Sequence, residues 1–134
     1  MPSFDDHAHS PAAPEEVWKL LYDPSRFPEW WAGIGSVEPA AATGADGYTM
    51  YPEGYPDFPM PQALRTDRAG RRVTISCLIS DLCFEWRLEP DASGTQTDIH
   101  VHVELPDAEA ARLAPQREII HASVLALAAL AAAE

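Results

Sequence analysis

"RRVTISCLISDLCFEWRLEPDASGTQTDIHVHVEL", residues 71–105, alternates between apolar and polar side chains in three successive runs. Val73, Ile75, Cys77 and Ile79 share one side of the first run. Leu82, Phe84, Trp86 and Leu88 share one side of the second, and Thr97, Ile99, Val101, Val103 and Leu105 one side of the third. Alternation with a period of two marks a strand with one buried face, so the three runs predict half-buried antiparallel strands. Taking Ser80-Asp81 as a two-residue turn sets Ile79 against Leu82, Cys77 against Phe84, Ile75 against Trp86 and Val73 against Leu88. Every apolar residue then meets another, as a correct register requires. Closing the next hairpin over "PDASGT" (90–95) sets Trp86 beside Ile99 and Phe84 beside Val101. The other face reads Thr74–Arg87–Asp98 and Ser76–Glu85–His100, polar and with a cross-strand ion pair. Cys77 and Cys83 point to opposite faces and are not expected to bond to each other.

Upstream, "SFDDHAHS" (3–10) alternates Phe4, Asp6, Ala8 and Ser10 with Asp5, His7 and His9, which predicts a short first strand. "PAAPEEVWKLLYDP" (11–24) predicts a helix: Pro14 suits a first turn, Glu15 and Glu16 complement its N-terminus, and Val17, Leu20 and Leu21 form an apolar stripe. Asp23 and Pro24 restart the chain as cap and first residue of a second helix, kept short by Pro28. Weaker strands are expected over 34–50 around the turn signal "TGADG" (43–47), and another over 62–67 before the turn "DRAG". A final helix follows, capped by Asp107, with Leu113, Ile120, Val124, Leu127 and Ala131 at helical spacing. Pro115 either kinks this helix early or marks its true start.

Composition narrows the function. The 134 residues are read as one domain, 1–134, large enough to bury a core. Acids outnumber bases 21 to 9, for a net charge of -12, which disfavours nucleic acid and anionic membrane surfaces as partners. The longest apolar run, "VLALAALAAA" (124–133), is about half of a membrane span, so no membrane insertion is expected. The N-terminus lacks the pattern of a signal peptide, and two cysteines make no disulfide framework, so the expected location is cytoplasmic. No nucleophile motif, phosphate loop or nucleotide fingerprint is present, and no cofactor is expected.

Strand, two short helices, a run of antiparallel strands and one long C-terminal helix make a familiar order. Through "APEEVWKLLYDPSRFPEWW" (13–31), "FEWRLEPDASGTQTDIHVHVELP" (84–106) and "AARLAPQREIIHASVLALAALA" (110–131), the chain resembles the START-like helix-grip superfamily (SRPBCC), shared with the birch pollen allergen. Within it the chain is most similar to the polyketide cyclase/dehydrase-like branch of bacterial proteins. The resemblance implies an α+β helix-grip fold: a curved antiparallel sheet of six to seven strands around the last helix, with a cavity for an apolar ligand. It also implies that the first strand lies beside the last. Two features depart from the pattern: Asp6 on the inner face of the first strand, and Pro115 in the final helix.

Candidate site residues follow. "YPEGYPDFPMPQ" (51–62) combines four prolines with Tyr51, Tyr55, Phe58 and Met60. It reads as a rigid lip whose rings either close over a ligand or plug the end of the core. Trp31, Ile75, Cys77, Phe84, Trp86, Val101, Ile120, His121 and Val124 are the candidate cavity wall, with Trp30 in the core; Trp31 either lines the entrance or packs with Trp30 between helix and sheet, and Phe84 and Trp86 are either wall or solid core. Asp6 is an acid or base if desolvated, and otherwise a solvated residue at a strand end. Arg117 and His121, four apart on one helix face, orient a polar ligand group if that face meets the cavity. His7, His9, His100 and His102 project from one outer face, an alternative zinc, copper or nickel patch beside Cys83; the other reading is a solvated face with no metal. The function expected is binding of a small apolar or aromatic, lipid- or polyketide-like molecule, by a monomer or homodimer. The alternatives are a polyketide cyclase/dehydratase-type enzyme, with Asp6, Arg117 or His121 as acid, base or clamp, and a co-chaperone-like or regulatory module.

Overall fold

A computed structural model gives the architecture and describes residues 2–39 and 47–134. The turn signal at 43–47 therefore lies, save for Gly47, outside the described residues. Strand β1 (Ser3–Ser10) leads into helix α1 (Pro14–Leu21) and a 3₁₀ segment (Pro24–Glu29). Six strands follow: β2 (Ile34–Pro39), β3 (Gly47–Pro52), β4 (Met60–Asp67), β5 (Arg72–Cys77), β6 (Cys83–Pro90) and β7 (Thr97–Glu104). A second 3₁₀ segment (Asp107–Arg112) opens the long helix α2 (Leu113–Ala133). The seven strands form one curved antiparallel sheet in the order β1-β7-β6-β5-β4-β3-β2, wrapped around α2. This is the helix-grip fold, and β1 does lie beside β7.

Local chemistry sets the boundaries. Pro14 and Pro24 each occupy a first turn, where a missing N–H removes no helical bond. The Asp23 carboxylate accepts from the Ser25 N–H at 3.0 Å, as an N-cap should. Pro115 lies in the first turn of α2, so it marks the start of that helix and does not kink it. Asp107 is not the cap of α2; the 3₁₀ segment intervenes, and Arg112 takes the N-cap position.

Both predicted hairpin registers are displaced by two residues. Val73 faces Trp86 and Ile75 faces Phe84, because the β5–β6 turn has four residues, Leu78–Asp81, rather than two. It is closed by the Cys77 N–H on the Leu82 carbonyl (2.8 Å) and the Asp81 N–H on the Cys77 carbonyl (2.9 Å). Asp81 takes a left-handed φ of 57°, which an aspartate tolerates better than most residues. Ile79 is thus a turn residue, 57% exposed, and not part of the inner face. Trp86 likewise faces Val101, and Phe84 faces Val103. Glu104, not His102, lies opposite Cys83, and Arg87 pairs with Glu89 at 3.1 Å instead of with Asp98. A displacement of two keeps every side chain on its predicted face, so Phe84, Trp86 and Leu88 still point inward and are buried.

The core is built around aromatic rings. Trp86 is fully buried and meets Trp30 and Trp31 edge-on, at centroid distances of 5.1 and 5.2 Å. Phe27 packs edge-on against Trp30 at 5.5 Å. The Trp30 N–H donates to the Leu20 carbonyl at 2.9 Å, tying the 3₁₀ segment to α1. Ile120, Val124, Leu127 and Ala131 of α2 are buried at the centre of this core. Buried polar groups are used as ties: the Ser10 hydroxyl donates to Ala128 O of α2 (2.8 Å), and the Thr97 hydroxyl to Ala12 O (2.8 Å).

On the outer face, His102 Nδ1 meets Asp5 at 2.8 Å and its Nε2 meets Glu104 at 3.1 Å. Only the imidazolium donates from both nitrogens, so the hydrogen bonds to Asp5 and then Glu104 hold its pKa above the usual value. A raised folded-state value stabilises the fold below the unfolded value of 6.5. That stabilisation disappears as pH rises through the folded value. His102→Gln is therefore expected to lower the melting temperature more at about pH 5.5 than at about pH 8.5. Equal changes in thermal melts at both pH values would remove the pair from any account of stability.

Candidate functional site

A cavity of about 190 Å³ opens between the β2–β5 side of the sheet and the first turns of α2. Strand alternation decides which residues reach it. Tyr48, Met50 and Pro52 of β3, Met60 and Gln62 of β4, and Ile75 and Cys77 of β5 all face inward. The β5–β6 turn and β6 add Ser80, Leu82 and Phe84, and the segment after the first 3₁₀ turn adds Trp31 and Ile34. From the N-cap and first turns of α2 come Arg112, Gln116 and Ile119, spaced four and three apart and so on one side. Trp31 meets Phe84 edge-on at 5.1 Å, which fixes the inner wall. The volume is close to the ~150 Å³ cavity that holds a benzene ring, and below the ~300 Å³ where drug-sized sites begin.

Of the expected wall, Trp31, Met60, Ile75, Cys77 and Phe84 line the cavity. Trp86, Val101, Ile120 and Val124 do not; they are fully buried where helix and sheet close on each other. Tyr51 alternates with Met50 and Pro52, so it faces the other way, toward Glu38. Tyr55 and Phe58 are 66% and 56% exposed, and their rings cover neither core nor cavity. The lip is thus made by its ends, Pro52 and Met60, where the segment rejoins the sheet.

Asp6 and His121 come together, with His121 Nδ1 3.0 Å from the Asp6 carboxylate. Arg117 lies over the Phe4 ring at 5.7 Å. Asp6 is on β1, Arg117 and His121 lie on a different face of α2 from Gln116 and Ile119, and none of the three lines the cavity. On the outer sheet face the His7 and His100 rings are 6.1 Å apart, while His9 is held by Asp98 (2.8 Å) and Gln96 (2.6 Å). Among the described residues, no group of three His, Cys, Asp or Glu side chains is arranged to hold a metal ion.

Sequence reasoning missed Tyr48, Met50, Gln62, Ser80 and the helix row Arg112–Gln116–Ile119. The signal for the row was present: Ser123 continues it one turn on, and its hydroxyl accepts from the Ala32 N–H at 2.9 Å beside the cavity.

On the sheet side the polar lining forms one row. Gln62 and Cys77 are directly opposed across β4 and β5, and Tyr48 and Gln62 across β3 and β4. Burial, and then the neighbouring Cys77, push the Tyr48 phenol well above its ordinary value, so it stays protonated at neutral pH. Burial also acts to raise the Cys77 thiol. The polar groups near the sulfur, first the Ser80 side chain and backbone, then the Ile79 backbone and the Gln62 side chain, outweigh it and lower the thiol.

Among solved structures the chain is similar to XoxI from Bacillus cereus, with a TM-score of 0.79 and 16% identity, covering 97% of this chain and 95% of that one. It is similar to a protein from Nitrosospira multiformis (TM-score 0.77, 16% identity, 96% of this chain and 94% of that one). It also matches BexL, a di-domain ARO/CYC from the BE-7585A biosynthetic pathway (TM-score 0.75, 14% identity, 96% of this chain and 46% of that one). At these identities the likeness shows the fold alone. No curated protein sequence matches. The family model described as polyketide cyclase / dehydrase and lipid transport matches residues 1–132, and the chain belongs to that family.

Proposed function

We propose that this chain binds a small apolar or aromatic molecule, of one or two rings, between its sheet and the start of α2. The observation that carries the reading is the open cavity, walled by Trp31, Ile34, Met50, Ile75, Leu82 and Phe84. An apolar wall with a few placed polar groups is the usual make-up of a small-molecule site. In this reading the binder acts as a monomer or homodimer in the cytoplasm.

A second reading is a cyclase/dehydratase-type enzyme. It is favoured by the polar groups that share the cavity with the apolar wall: Tyr48, Gln62, Cys77 and Ser80 inside, Arg112 and Gln116 from the helix. Such groups can clamp a carbonyl chain in one geometry, and positioning alone supplies much of the catalysis in a folding reaction. The family description and the ARO/CYC relative support the same reading.

Titration with 1-naphthol, followed by tryptophan quenching, tests the binding reading. Saturable binding to the folded protein is expected, and its absence would end the proposal. Replacing Tyr55 and Phe58 together by alanine should leave this affinity within about twofold, since both rings are exposed. A tenfold loss would restore the rings as a lid.

A further inference from the structure

The buried polar end of the cavity has a feature that apolar binding does not need. Tyr48, Gln62 and Cys77 form one row across three strands and are 4%, 5% and 4% exposed. Ser80 joins them from the β5–β6 turn at 8% exposure. Its hydroxyl is buried, lines the cavity and has no hydrogen-bond partner among the described residues. The Gln62 amide donates one bond, to Met60 O at 3.2 Å. The Ile79 and Ser80 backbone of the turn acts on the Cys77 sulfur, lowering its pKa. A simple core cysteine would be ringed by apolar groups; this one shares a row with Tyr48 and Gln62, lines the cavity with Ser80 and faces its interior.

We propose that Cys77 is a reactive thiol, and that this end of the cavity captures a small apolar molecule bearing an α,β-unsaturated carbonyl. The ring system would lie on Trp31 and Phe84, and the oxygen among the Ser80, Gln62 and Tyr48 donors. The thiol proton leaves to water, and the sulfur forms a bond to the β-carbon. The π pair moves to the carbonyl oxygen, giving an enolate held by those donors. Water then protonates the α-carbon. The net change is addition of S–H across the C=C bond, with no oxidant or reductant required.

The inference rests on the cavity being a binding site, so the experiment measures both. Benzylideneacetone, a one-ring enone, is added at pH 7 and followed by intact mass and peptide mapping. Benzylacetone, its saturated analogue, reports binding without reaction. One adduct is expected, on Cys77 of the folded protein, forming at least about tenfold faster than with glutathione. Cys83→Ser should keep the adduct and Cys77→Ser should lose it. Ser80→Ala should slow capture by about tenfold, because one hydrogen bond to developing charge is lost. Gln62→Met, on the neighbouring strand, should act in the same direction. Benzylacetone binding without adduct, reaction at the glutathione rate, or labelling of Cys83 first would overturn the thiol site and leave the binding reading standing. Failure of benzylacetone to bind would remove both.

Discussion

Trp86→Ala is expected to lower the free energy of unfolding by about 3–5 kcal/mol in urea denaturation. The residue has no exposed surface, and two further tryptophans lean on it edge-on at 5.1 and 5.2 Å. Its removal deletes a large buried apolar surface and leaves a void that Trp30 and Trp31 cannot collapse into without losing Phe27 and Phe84 as partners. For a domain stable by about 5–15 kcal/mol, that is a large fraction of the total. One term opposes the loss. The Trp86 N–H is buried without a hydrogen-bond partner among the described residues, and an orphaned donor costs about 1–3 kcal/mol. Trp86→Phe keeps most of the ring and removes that donor, so it should cost far less than alanine. A loss below 1 kcal/mol for the alanine variant would remove Trp86 from the core.

Ile119→Trp should abolish most small-molecule binding while sparing the fold. Ile119 is half-buried on the helix face that walls the cavity. A second ring there would occupy much of a 190 Å³ space. Displacing a probe from about 80 Å² of apolar contact removes roughly 2 kcal/mol, or about thirtyfold in affinity. Because the new side chain enters existing space, overpacking should cost under about 1 kcal/mol of stability. Unchanged naphthol affinity in a folded variant would place the probe elsewhere and leave this cavity without a ligand.

How much of this could be read from the chain differs by element. Strand faces were legible because alternation survives any even error: taking Ser80-Asp81 as the whole turn displaced the register by two and still left Phe84 and Trp86 inside. Turn length was not legible, since Leu78 and Ile79 are apolar residues placed in a turn. The site was legible where a strong period pointed at it, as with Ile75, Cys77 and Phe84. It was missed where two periods compete. On α2 the stronger stripe, Ile120, Val124 and Leu127, marks the closed core, whereas the weaker row of Gln116 and Ile119, with Arg112 at the N-cap, faces the cavity. Tyr55 and Phe58 misled because ring-rich sequence usually means burial, and here the prolines hold the rings outward.

Among the described residues the sheet has two unpaired margins, and both are poor templates for fibre growth. At one margin β2 is six residues long, shifts register between Ile34 and Ser36, and ends in Glu38 and Pro39. At the other, β1 carries Asp5, Asp6, His7 and His9, and α2 packs against its inner side. Neither rim offers a flat, uncharged row of amides to an incoming copy, so the protein should tolerate high concentration without strands knitting from molecule to molecule.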